Sequence, residues 1–180
     1  MSRRLAALLG AACLVLLGLG SAVAIGHGGG GHNKGDHPGD HARSLALFAD
    51  LNGRNELDAM TLQPGAGDPD GFGSASFTFD GDQVCFGITV ANLDVPVAAH
   101  IHKGSRNENG NIVIGLTAPA TGDPGASSGC VPLNNPDLVA AAADIQAHPN
   151  AYYANVHTTA FTAGAVRGQL KSLRHSHFHH

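Results

Sequence analysis

Between residues 43 and 173 the chain is dominated by short stretches in which apolar and polar positions alternate. A period of two is the signature of a half-buried β-strand. Leu45, Leu47, Ala49 and Leu51 alternate in this way and run into the turn pair Asn52-Gly53. Phe77 and Phe79 alternate with polar neighbours, and Val84, Phe86, Ile88 and Val90 alternate with Cys85, Gly87 and Thr89. The tight-turn pair Asp80-Gly81 lies between them, so Ser74 to Phe79 and Gln83 to Leu93 read as a hairpin. Val97 to Lys103, then Ile112 to Leu116, then Ala151 to Thr159 and Ala165 to Leu173 add further strands. Residues 61–73 and 118–131 are rich in Pro, Gly, Ser and Asp and read as loops. One stretch breaks the period: Leu138, Ala141, Ala142 and Ile145 keep helical spacing behind Asn135-Pro136-Asp137, and Pro149 ends it. A capping Asn, a first-turn Pro and an early acid are helix-start signals. The predicted fold is all-β, an antiparallel β-sandwich or flattened Greek-key barrel with one short helix.

The ends follow a different pattern. Arg3 and Arg4 precede the apolar run from Leu5 to Gly20, and Ala22-Val23-Ala24 or Ala24-Ile25-Gly26 supplies a small-x-small cleavage site. Residues 1–26 therefore read as an export signal, with a retained membrane anchor as the alternative. Cutting after Gly26 would make His27 the first residue, whose amine and imidazole chelate Cu(II). Residues 27–42 are a Gly-rich arm carrying His27, His32, His37 and His41, either a weak metal binder or a solvated linker. Residues 174–180 are a polar tail with four more histidines, native or added. The remaining stretch, 43–173, is long enough for a single core.

Composition narrows the function classes. The formal charge is -4, with no long basic run, so nucleic-acid binding has no support. Once the signal is cut, only Cys85 and Cys130 remain, in an exported and oxidising setting. They are expected to form a disulfide.

The chemistry concentrates in Ala98-Ala99-His100-Ile101-His102-Lys103-Gly104. Positions i and i+2 of a strand share a face about 7 Å apart, so His100 and His102 project together while Ile101 points away. Val97, Ala99 and Ile101 form the core-facing set. Tyr153, Asn155 and His157 form the outward set of a later strand, and Arg167, Gln169 and Lys171 that of the last. If these strands are neighbours, His100, His102 and His157 meet on the outside of the sandwich beside Arg167. Three neutral imidazoles suit Cu(II), Zn(II) or Ni(II). Arg167 is permanently charged and cannot be a ligand, but it would attract a small anion. His148, just before Pro149, reads as a partner for the helix C-terminus.

With these residues in view, the chain from Arg43 to Leu173 resembles the CHRD domain family, first named from chordin. The carriers are Leu51-Asn52-Gly53 with Glu56, Gly71-Phe72-Gly73-Ser74-Ala75, and Ala99-His100-Ile101-His102-Lys103-Gly104. Tyr152-Tyr153-Ala154-Asn155-Val156-His157-Thr158 and Gly164-Ala165-Val166-Arg167-Gly168-Gln169-Leu170 complete the pattern. The resemblance implies an extracellular β-rich domain, and in chordin such domains belong to an antagonist of growth-factor signalling. A weaker likeness is to Cu/Zn superoxide dismutases, in the order His100, His102, His157, Arg167. It implies copper ligands, an anion-guiding arginine and a superoxide-dismutase-like barrel. The bridging and zinc histidines of that family have no counterparts here, since only His148 lies between His102 and His157.

The expectation is a secreted or extracytoplasmic protein with no stable membrane anchor after signal cleavage. It would bind one metal ion, copper first and zinc as the alternative, through His100, His102 and His157. A copper enzyme with Arg167 as anion guide, and a metal-free extracellular binding or structural module, are the alternatives.

Overall fold

The structure is a computed structural model, described here for residues 46–172. The expectations for the signal (1–26), the His-rich arm (27–42) and the tail (174–180) lie outside the described residues.

The strands are β1 (Ala46–Asn52), β2 (Phe72–Asp80), β3 (Gln83–Ala91), β4 (Pro96–Lys103), β5 (Ile112–Leu116), β6 (Gly125–Pro132), β7 (Tyr152–Thr158), β8 (Val166–Gln169) and β9 (Lys171–Ser172), with one helix, α1 (Pro136–Ala147). Eight of them follow one antiparallel path, β5-β4-β7-β8-β1-β2-β3-β6, and β9 pairs with β1. The free edges, β5 and β6, come together: Ser127 Oγ on β6 donates to the carbonyl of Thr117, just past β5, at 2.8 Å. The sheet is a nearly closed barrel, so of the two architectures predicted it is the barrel that forms.

The alternating residues fill the barrel. Leu47, Ala49 and Leu51 of β1, Phe77 and Phe79 of β2, and Val84, Phe86, Ile88 and Val90 of β3 are all buried in one cluster. The β2–β3 hairpin is in register from Phe72↔Ala91 to Asp80↔Gln83. Its turn is therefore Gly81-Asp82, with Gly81 at φ +49°, a conformation that glycine adopts without a Cβ clash. The helix starts as its sequence predicts: Asn135 Oδ1 accepts the Leu138 N–H at 3.0 Å, and Pro136 opens the first turn. Ala142 and Ile145 of α1 join the core.

Two local expectations are corrected. Residues 125–131 of the stretch read as loop (118–131) belong to β6, paired along its length with β3 from Gln83↔Pro132 to Val90↔Gly125. Gly125-Ala126-Ser127-Ser128-Gly129 has almost no strand propensity, and the ladder to β3 supplies the backbone partners that composition does not predict. Val97, expected in the core, is 56% exposed. The β4–β7 register shifts between Pro96 and Ala98, leaving Val97 as the extra, unpaired residue of a bulge.

The disulfide forms as expected. Cys85 and Cys130 face each other across β3 and β6 and are bonded. Such a bond fits an oxidising compartment.

Candidate metal centre

Strands β4, β7 and β8 are neighbours, which was the condition for the cluster. On the outer face of β4–β7, His100 is opposite Asn155, His157 is opposite Ala98, and His102 is opposite Tyr153. His100 and His157 are thus diagonal neighbours. Their ring centroids are 4.9 Å apart, with His102 at 5.5 Å from His100 and 6.3 Å from His157. One ring nitrogen of each of the three lies within 4.8 Å of the others. Two nitrogens bound tetrahedrally to one ion at about 2.0–2.1 Å are about 3.4 Å apart. The three donors would therefore share an ion after drawing together by about 1 Å.

Backbone carbonyls set the tautomers. His102 Nδ1–H donates to Gly110 O at 2.9 Å, and His157 Nδ1–H donates to Thr162 O at 3.0 Å. Each bond leaves Nε2 as the unprotonated nitrogen of a neutral ring. His157 Nε2 lies 3.1 Å from His100 Nδ1 and 3.1 Å from Asn155 Oδ1. His102 Nε2 is buried and makes no hydrogen bond among the described residues. Burial pushes all three histidines below their ordinary value, His100 to about 4 with help from its two imidazole neighbours. At neutral pH the cluster holds three uncharged rings, the state a metal needs. His102 is nearly inaccessible, whereas His100 and His157 are half-buried, so the cluster is open on their side.

Part of the outer face is covered. The loop from Gly104 to Gly110 folds back over β7 and β8. A Cβ on Gly110 would lie 1.4 Å from Lys103 O, so only glycine lets the loop close here. Arg167, read from sequence as outward and beside the histidines, is 1% exposed beneath this loop. Its NH2 donates to Ser105 O at 2.8 Å and Glu108 O at 2.7 Å, and its NH1 to Asn109 Oδ1 at 3.0 Å. Its guanidinium lies 3.4 Å over the Tyr153 ring, and His102 stacks on the same tyrosine at 4.8 Å and 8°. Tyr153 OH accepts the Gly110 N–H, the residue whose carbonyl orients His102. The arginine thus reaches the histidines through Tyr153 and the loop, not by direct hydrogen bonding.

Glu56 is buried as well, 2% exposed, and its Oε2 makes no hydrogen bond among the described residues. Burial pushes its carboxyl up to about 7, partly offset by the Arg167 charge and the Leu57 N–H. It fills the space a Cβ would need at Gly164, whose φ is +148°. The sequence marks Glu56 only as part of the family pattern and assigns it no role. Tyr153 and Asn155 share the outward set of His157, and that alternation was the available signal for both. His148 is elsewhere: its Nδ1 pairs with Asp144 at 2.8 Å, and that carboxylate also takes Lys103 Nζ at 2.9 Å.

Fold and site together define a small disulfide-bonded β-barrel domain with a three-histidine cluster on its outer face, under one side of a covering loop. The family model for the CHRD domain matches residues 47–170, and the chain belongs to that family. Comparison with curated proteins and with solved structures finds no match.

Proposed function

We propose that this CHRD-domain protein is exported and holds a single metal ion, copper before zinc, on His100, His102 and His157. The observation that carries the reading is the orphaned Nε2 of His102, buried and within reach of two other imidazole nitrogens. A buried acceptor with no partner costs about 1–3 kcal/mol, which a metal bond would remove. The carbonyls of Gly110 and Thr162 add the outer hydrogen bonds that orient ligating histidines. Copper leads because Cu(II) heads the affinity order for nitrogen donors. Export is supported by the disulfide and by the signal-like residues 1–26.

Metal binding without turnover is the preferred form of this reading. Arg167 spends three donors on the covering loop and none on the histidine cluster, which argues against its guiding an anion to a metal held there. One observation favours a metal-free module instead: His100 Nδ1 and His157 Nε2 satisfy each other at 3.1 Å. That pairing leaves His102 unexplained.

The test is titration of the full chain with Cu(II) and Zn(II) against a competing chelator. Weak sites on the His-rich ends are common to every variant. One tight equivalent in wild type, absent in His102→Gln and in His157→Gln, is the expected result. An unchanged tight stoichiometry in both variants would overturn the proposal.

A further inference from the structure

The Arg167 guanidinium is buried and has no carboxylate within 4 Å among the described residues. Its hydrogen-bond partners are two carbonyls and an amide oxygen, which carry no net charge. A cation withdrawn from water without a counter-charge is costly. The carboxyl whose charge acts on it is Glu56, which burial holds up to about 7. Among the described residues the guanidinium is met by the Tyr153 ring and by neutral oxygens, with no carboxylate in contact.

A cavity of about 150 Å³ opens on the same side. Arg167 lines it together with Arg106, Asn55, Asn107, Gln169 and an apolar wall of Leu57 and Pro64. No histidine lines it. Arg106 is exposed and has no hydrogen bond or ion pair among the described residues. A guanidinium carries five N–H donors, and Arg167 uses three, so two remain. Gln169 spends both amide N–H groups on Gly104 O and Asn150 O, and Asn55 spends one of its two on Arg167 O. The charged donors at the cavity are the two arginines, beside the amides of Asn55 and Asn107.

We infer that this cavity is a second binding site, separate from the histidine cluster, for a small carboxylate whose head pairs with Arg167 and Arg106 and whose short apolar part lies on Leu57 and Pro64. Its size suits about six non-hydrogen atoms. Phosphate or sulfate fits less well, because each is polar on every side and would face the apolar wall. The carboxylate is either a free short-chain acid or the C-terminal end of a peptide. Both present the same head group.

The inference does not rest on the metal reading, and the experiment keeps the two apart. The full chain, held in chelator, is titrated with butyrate and followed by saturation-transfer NMR and thermal shift. Saturable binding with a dissociation constant on the order of millimolar is expected for so small a ligand. Butyramide, which lacks the charge, should not bind. Arg106→Ala, at an exposed position outside every hydrogen bond described, should weaken butyrate at least tenfold without lowering the melting temperature of the free protein. A parallel titration compares N-acetyl-Ala-Ala with its C-terminal amide. Tighter binding of the acid than of butyrate assigns the site to peptide ends, and the reverse assigns it to free acids. Absence of saturable binding by either acid, equal binding of butyramide, or equal affinity in Arg106→Ala would overturn the inference. Each of those results leaves the copper titration unaffected.

Discussion

His100 Nδ1 lies 3.1 Å from His157 Nε2, across the β4–β7 ladder and 57 residues apart in the chain. The contact is diagonal: His100 is opposite Asn155, and His157 is opposite Ala98. Diagonal pairs on one face of an antiparallel ladder are close enough for large side chains to touch. The His-Ile-His spacing adds His102 to the same face, and the third donor comes with no further constraint on the chain.

Acid should unfold the metal-free protein through this cluster. The folded values of His100, His102 and His157 lie below the ordinary 6.5, His100 at about 4, because burial disfavours the charged rings. The unfolded chain therefore binds more protons in that window, and stability rises with pH. The contribution is complete above about 6.5 and is lost as pH falls toward 4. The His100 ring is part-exposed, so solvent screening reduces its effect to about 1 kcal/mol. Denaturant melts from pH 7 to 4 on wild type and His100→Gln should show a shallower slope in the variant.

Glu56 should act with the opposite sign. Its folded value is raised from 4.5 to about 7, so the folded state holds the extra proton between those limits. Its contribution is greatest below about 4.5 and declines as pH rises through 7. Glu56→Gln should flatten that decline and be more stable than wild type at pH 8, by up to about 3 kcal/mol. Urea melts at pH 5 and pH 8 measure the difference. An unchanged slope would mean that the carboxyl is ionised throughout.

Arg167→Lys should loosen the covering loop. An ammonium cannot reproduce the fork that reaches Ser105 O, Glu108 O and Asn109 Oδ1 together. A loss of about 2 kcal/mol is expected from carbonyls left buried without donors. Amide exchange at residues 104–110 should accelerate more than at β2 and β3. Uniform acceleration across the barrel would show that the arginine serves the whole fold and not the loop.

Removing the disulfide with Cys85→Ser and Cys130→Ser together should cost about 4 kcal/mol, the chain-entropy estimate for a link between residues 45 apart. Both cysteines lie on the barrel's outer face, so serine introduces no buried polar group. A denaturation midpoint equal to wild type would mean that β6 is held by its ladder alone.

Much of this architecture is legible in the chain because its cues are local. Val84, Phe86, Ile88 and Val90 alternate visibly, and all four are buried. Asn135-Pro136 announces the helix, and the cap bond to Leu138 is there. His100, His102 and His157 could be grouped because alternation assigns them to outward faces, and the family pattern supported the order. β6 was not legible, since glycine, serine and alanine carry no strand signal. Val97 was misplaced because a bulge resets alternation without leaving a mark in the residues.

Periodicity and capping act within a few residues, so the all-β class, the helix, the cysteine pair and the facing of three histidines could be read directly from the chain. The covering of part of the outward face arises from packing between distant segments. The Gly104–Gly110 loop closes over β7 and β8 through Gly110, Tyr153 and Arg167, and it buries both the His102 ring and the guanidinium. Burial turns an exposed histidine pair into neutral donors with one lone pair unclaimed, and a surface arginine into a buried charge beside a cavity. Those properties arise from desolvation, which depends on which distant segment covers a residue and not on its neighbours in the chain.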